Sequence, residues 1–111
     1  MTDIKELLKV AVQKRASDIH LTVMSPPILR IDGKLEATPM PVLLPEDTKR
    51  LIYSLMNDVQ KKQFEETLEL DFSFSVPELC RFRVNVHLQR SSVEAAMRVV
   101  PSHVRSLSEL G

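Results

Sequence analysis

Hydrophobic and polar positions along this chain repeat with two periods. Ile4, Leu7, Leu8 and Ala11 recur at three- and four-residue intervals, with Lys5, Lys9 and Gln13 elsewhere on the wheel, which predicts a helix over residues 3–15. Asp3 followed by Glu6 predicts an N-cap with its reciprocal partner. Residues 18–23 then alternate, with Ile19, Leu21 and Val23 on one face and Asp18, His20 and Thr22 on the other. Ser25-Pro26-Pro27 ends that strand, because proline has no N–H to donate to a ladder. Residues 29–31 and 35–37 flank Asp32-Gly33, a hairpin signal. A two-residue turn would pair Ile31 with Lys34 and oppose the strands' apolar faces. A three-residue loop over 32–34, or a bulge, is therefore expected, placing Ile31 opposite Leu35.

Pro39 and Pro41 make residues 38–44 a loop, and Pro45 suits the first position of a helix carrying Thr48, Leu51, Ile52 and Leu55. Asn57 or Asp58 caps a second helix at about 58–67, with Phe64 and Leu68 four apart; the two helices form a hairpin. The clearest alternation comes last. Leu70, Phe72, Phe74 and Val76 alternate with polar residues, and so do Phe82, Val84, Val86 and Leu88, the two strands being joined through Pro77-Glu78. Residues 93–100 form a third strand, with Val93, Ala95, Met97 and Val99 on one face, ended by Pro101. Residues 106–110 open a further element. The order α-βββ-αα-βββ, with antiparallel hairpins and segregated helices, predicts an α+β domain.

Composition sharpens this picture. A chain of 111 residues allows one domain with a sizeable core. Its single cysteine excludes an internal disulfide framework and a multi-cysteine zinc site, and fits a reducing cytoplasm. No segment has the ~20 apolar residues that span a bilayer, and the charged amino terminus does not read as a signal peptide. Fifteen basic and fifteen acidic residues cancel, which argues against a dedicated nucleic-acid binder. The cancellation is uneven. From residue 80 onward the bases are Arg81, Arg83, Arg90, Arg98 and Arg105, against only Glu94 and Glu109.

Catalytic chemistry is hard to assemble. Two glycines cannot build a phosphate-binding loop or a dinucleotide fingerprint. Cys80 beside Arg81 reads as a small apolar filler at a strand start sooner than as an activated thiol. His20, His87 and His103 lie far apart and form no helical ligand pair. Asp18 and His20 share a strand face, a contact surface or structural pair sooner than a metal site. Asp71 and His87 oppose each other if the hairpin loop spans residues 77–81, as a cross-strand pair. Arg81 and Arg83 point the same way along one strand, and Arg98 projects from the next. Either the three guanidiniums form a phosphate clamp, or they pair across strands with Glu69, Asp71 or Glu94. Spacing leaves both readings open.

The run Ala16-Ser17-Asp18-Ile19-His20-Leu21, followed by Ser25-Pro26-Pro27, Arg30-Ile31-Asp32-Gly33 and Leu35, resembles the N-terminal signature of PilT-type type IV pilus retraction ATPases. These belong to the wider type II/type IV secretion ATPase family. Glu69-Leu70-Asp71-Phe72-Ser73-Phe74, Arg81-Phe82-Arg83-Val84-Asn85, Arg98-Val99-Val100-Pro101 and Leu107-Ser108-Glu109-Leu110-Gly111 extend the resemblance over essentially the whole chain. It implies a PAS-like N-terminal domain over residues 1–111, followed in the family by a RecA-like ATPase domain that carries the P-loop and the Mg-binding boxes. Without that domain the chain is expected not to hydrolyse ATP, and ATP and Mg are expected only where it is present. The family forms hexamers in which this domain packs on the neighbouring subunit's ATPase domain. The resemblance assigns Arg83 and Arg98 to the nucleotide's terminal phosphates, with Arg81 as a third candidate, and leaves Asp18, His20, Asp71 and His87 as interface candidates. It implies a cytoplasmic protein peripheral to the inner membrane at the pilus base, with the pilus machinery as partner and no nucleic acid. The alternative is a free-standing PAS-like sensor or interaction domain. Met24, where many relatives carry glycine, and the glycine-free Gln89-Arg90-Ser91-Ser92 depart from the pattern.

Overall fold

The structure, a computed structural model, describes residues 3–76 and 80–100. The loop at Pro77-Glu78, the strand-ending Pro101, His103, Arg105 and the element expected at residues 106–110 lie outside the described residues. Three helices and six strands follow one another as α1 (Ile4–Gln13), β1 (Asp18–Leu21), β2 (Ile28–Ile31), β3 (Lys34–Ala37), α2 (Pro45–Tyr53), α3 (Asp58–Thr67), β4 (Glu69–Val76), β5 (Cys80–Gln89) and β6 (Ser92–Val100). This is the expected α+β order.

The strands form one antiparallel sheet in the order β3-β2-β1-β6-β5-β4. Pairing of β1 with β6 joins the amino-terminal and carboxyl-terminal hairpins into a single sheet. Ile19 faces both Leu29 and Met97, and Met97 faces Val84, so one row of apolar side chains runs from β2 to β5. With Leu21, Phe82, Val86, Val93 and Ala95 these residues are buried in a common core with Leu7, Leu8 and Ala11 of α1, Leu51 and Ile52 of α2 and Phe64 of α3. The helices thus cover one face of the sheet. The opposite face carries the polar positions of the same strands.

Local details depart from the sequence expectations in physically instructive ways. The Asp3 carboxylate accepts from the Lys5 N–H at 3.1 Å, while a reciprocal Glu6 bond is absent among the described contacts. Strand β1 stops at Leu21, two residues early, because Met24 turns to φ 66° and donates its N–H to Leu43 O at 2.6 Å. Asp32-Gly33 forms a two-residue turn with φ of 52° and 79°, pairing Ile31 with Lys34. The longer loop is the one that would oppose Ile31 with Leu35 and keep the apolar positions of both strands on one face. Strand β3 is exposed along its whole length, so nothing constrains its apolar face and the tight Asp-Gly turn decides the register. In α3, Phe64 is buried but Leu68 caps the helix at φ 64° and is 48 % exposed. Asn57 and Gln60 exchange the two bonds of a capping box at 2.8 and 2.9 Å.

Candidate functional site

Strand register dictates what stands on the open face. Arg30, Asp18, Arg98 and Arg83 occupy successive strands β2, β1, β6 and β5 as direct partners, so they form one row across the sheet. Parallel to it runs Ile28, His20, Ala96, Asn85 and Asp71, and beyond that Glu94, His87 and Glu69. On the other side of the arginine row, Arg81 lies opposite Val100. The face therefore grades from guanidinium at one end of the strands to carboxylate at the other.

Arg83 and Arg98 are brought directly opposite each other, and Arg81 lies two residues along the same strand. The alternative, pairing of these arginines with Glu69, Asp71 or Glu94, does not occur among the described residues; Asp18 stands beside Arg98 instead. Its Oδ1 lies 3.7 Å from Arg98 Nε and its Oδ2 3.7 Å from Arg30 Nε. Ser17 Oγ also donates to Oδ2, at 2.8 Å. Arg83 and Arg81 have no carboxylate within 4.0 Å among the described residues. Like charges placed directly opposite on a sheet repel, so the Arg83–Arg98 pair is an arrangement an anion would relieve.

The expected Asp71–His87 pair is corrected by the register. Val76 faces Cys80, which closes the hairpin sooner than a loop over 77–81 would, and His87 falls opposite Glu69. Asp71 instead accepts from Asn85 Nδ2 at 2.9 Å, and His87 Nε2 lies 3.8 Å from Glu94 Oε1. The other Glu94 oxygen accepts from the Val23 N–H at 2.9 Å. His20 stands one row from Asp18 on the same face, half-buried. Cys80 is buried in the core, as a filler would be. Among the described residues no three His, Cys, Asp or Glu side chains converge as a metal site, and no helix is long and apolar enough to cross a membrane.

An open depression of ≈ 300 Å³ lies over this region, lined by Asp18, Arg98, Arg83, Asn85, Ala96 and Asp71. The sequence singled out Arg83, Arg98 and Asp18 separately. It missed Arg30 and Ser17 as members of the same constellation, although both stand in the quoted motifs. Polar alternation around Leu29 and Ile31 marks Arg30 as open-faced; only the register places it beside Asp18.

No family model matches the chain. Over 109 residues it is 46% identical to the type IV pilus retraction ATPase PilT of Pseudomonas aeruginosa, an alignment covering 98% of this chain and 32% of that protein. It is 34% identical over 107 residues to a twitching motility protein of Neisseria gonorrhoeae, covering 96% of this chain and 29% of that one. Among solved structures, the crystal structure of the pilus retraction motor PilT with bound ADP superposes with a TM-score of 0.86 at 45% identity, covering 93% of this chain and 30% of that chain. The chain thus spans about a third of the length of the curated relatives it matches.

Proposed function

From the premise that this chain belongs to the PilT-type pilus retraction ATPase family, matching its N-terminal region, we propose that it serves as a non-catalytic module of a hexameric retraction motor. In this reading it packs on the ATPase domain of the neighbouring subunit and presents Arg83 and Arg98 to the terminal phosphates of ATP, with Arg81 as a third donor. The observation that carries the reading is the direct opposition of Arg83 and Arg98, with Arg83 free of a carboxylate among the described residues. Planar guanidinium forks suit phosphate oxygens, and a guanidinium delivered from one subunit stabilises charge that develops on a phosphoryl group held by another.

Asp18, His20, Asp71 and His87 stand on the same face and would meet the neighbouring domain. ATP and Mg belong to the RecA-like domain, whose residues would supply the phosphate loop and the metal ligands. The assembly would sit at the pilus base on the cytoplasmic side of the inner membrane, with the pilus machinery as its partner.

Substitution tests this directly. In the full-length motor, Arg83→Ala and Arg98→Ala should each lower ATP turnover by roughly tenfold or more, the scale of a lost phosphate-facing donor. Circular dichroism should show both variants folded, because both side chains are exposed. Unchanged turnover in both variants discards the arginine role.

A further inference from the structure

We propose that Asp18 is an internal counter-anion for Arg98, which an oligophosphate displaces when it enters the arginine row. The inference rests on the phosphate-facing reading of Arg83 and Arg98 and adds a regulatory residue to it. The row Arg30–Asp18–Arg98–Arg83 carries three cations and one carboxylate. Asp18 is held from two sides that do not involve Arg98: Ser17 Oγ donates to it at 2.8 Å, and Arg30 Nε stands 3.7 Å away. Arg98 is the more exposed of the two cations: both stand 3.7 Å from Asp18, beyond the 2.7–2.9 Å of a strong charge-assisted bond, but the Arg98 side chain is 73% exposed against 39% for Arg30. Arg98 can leave without orphaning the carboxylate, which keeps Ser17 and Arg30.

Arg83 is the second cation facing the depression. It faces Arg98 across the β5–β6 ladder with no carboxylate of its own among the described residues. The depression between them is open and ≈ 300 Å³ in volume. A phosphate oxyanion placed there satisfies Arg83, relieves its repulsion with Arg98 and competes with Asp18 for the Arg98 fork. Arg98 thus has two arrangements, tethered to Asp18 or turned to phosphate. Asp18 sets the balance between them as a positioning residue, which need not touch the nucleotide.

The probe is inorganic pyrophosphate, titrated into the isotope-labelled chain and followed by nuclear magnetic resonance. In the unsubstituted chain the Arg98 Nε signal and the Asp18 carboxyl carbon signal should move together, with one Kd. Asp18→Asn, which keeps an acceptor for Ser17, should tighten pyrophosphate by about twofold to fivefold, the range set by an exposed ion pair. Asp18→Glu should bind as the unsubstituted chain does, and Arg83→Ala should bind more weakly. The proposal is overturned if Arg98 moves while the Asp18 carboxyl does not, if Asp18→Asn binds no tighter, or if pyrophosphate moves neither signal. In the full-length motor, Arg83→Ala losing turnover while Asp18→Asn leaves the KM for ATP unchanged discards the tether and keeps the functional reading. Unchanged turnover in both arginine variants discards the functional reading itself.

Discussion

Arg90 and Ser91 turn the chain between β5 and β6 at φ of 49° and 66°, where a β-carbon is crowded against the backbone. Gln89 pairs with Ser92, so the connection is a two-residue hairpin whose twist demands positive φ at both positions. Neither residue is the glycine or asparagine that adopts this geometry at least cost. Ser91→Gly should therefore stabilise the domain by about 0.5–1 kcal/mol, read as a higher midpoint of urea unfolding at unchanged slope. A lower midpoint would show that the entropy glycine adds to the unfolded chain outweighs the relief. Met24 is the same kind of residue: at φ 66° and 69 % exposed, it occupies a turn position that glycine would adopt at less cost.

Among the elements, α3 depends most on its cap. It buries only Phe64 among its residues, so packing contributes little along most of its length. The Asn57–Gln60 box satisfies two N–H groups at its start. Asn57→Ala should cost about 1 kcal/mol by thermal or urea unfolding, a larger loss than an exposed mid-helix substitution such as Lys62→Ala would give. The elements were also the most legible part of the sequence. The clean alternation of residues 69–76 and 80–89, and the 3.6-residue spacing of Leu7, Leu8 and Ala11, named strand and helix because burial on one face selects that period. What stayed hidden depended on pairing. The Asp32-Gly33 register departs from the apolar pattern because β3 buries nothing, leaving no apolar face to set it. The site divides in the same way: Arg83 and Arg98 were legible as residues, but their Asp18 counter-ion comes from β1, whose place between β2 and β6 no local pattern records.

For the molecule as a whole, stability and charge come together at Tyr53. Its hydroxyl donates to Glu65 Oε2 at 3.2 Å, tying the end of α2 to α3, and its ring meets Phe64 edge-on at 6.3 Å. Burial raises the phenol above its usual 10.0, and the hydrogen bond and negative charge of Glu65 raise it further. The folded chain then holds the phenolic proton more tightly than the unfolded chain. The stability gained is fully present below the ordinary phenol range and lost as pH rises through the raised value. Tyr53→Phe should lose a little stability near neutral pH and show a shallower alkaline decline than the parent, measured by urea unfolding at both pH values. An equally steep decline in both would assign the alkaline loss to other groups.

The charge total hides one more property. Equal numbers of bases and acids give zero net charge, yet the open face sets Arg81, Arg83, Arg98 and Arg30 toward one end of the strands and Asp71, Glu69 and Glu94 toward the other. Charges separated in this way give the open face a dipole along its strands. A charged surface brought up to that face would turn its arginine end and its carboxylate end in opposite senses, within the roughly 8 Å over which physiological salt leaves charge unscreened.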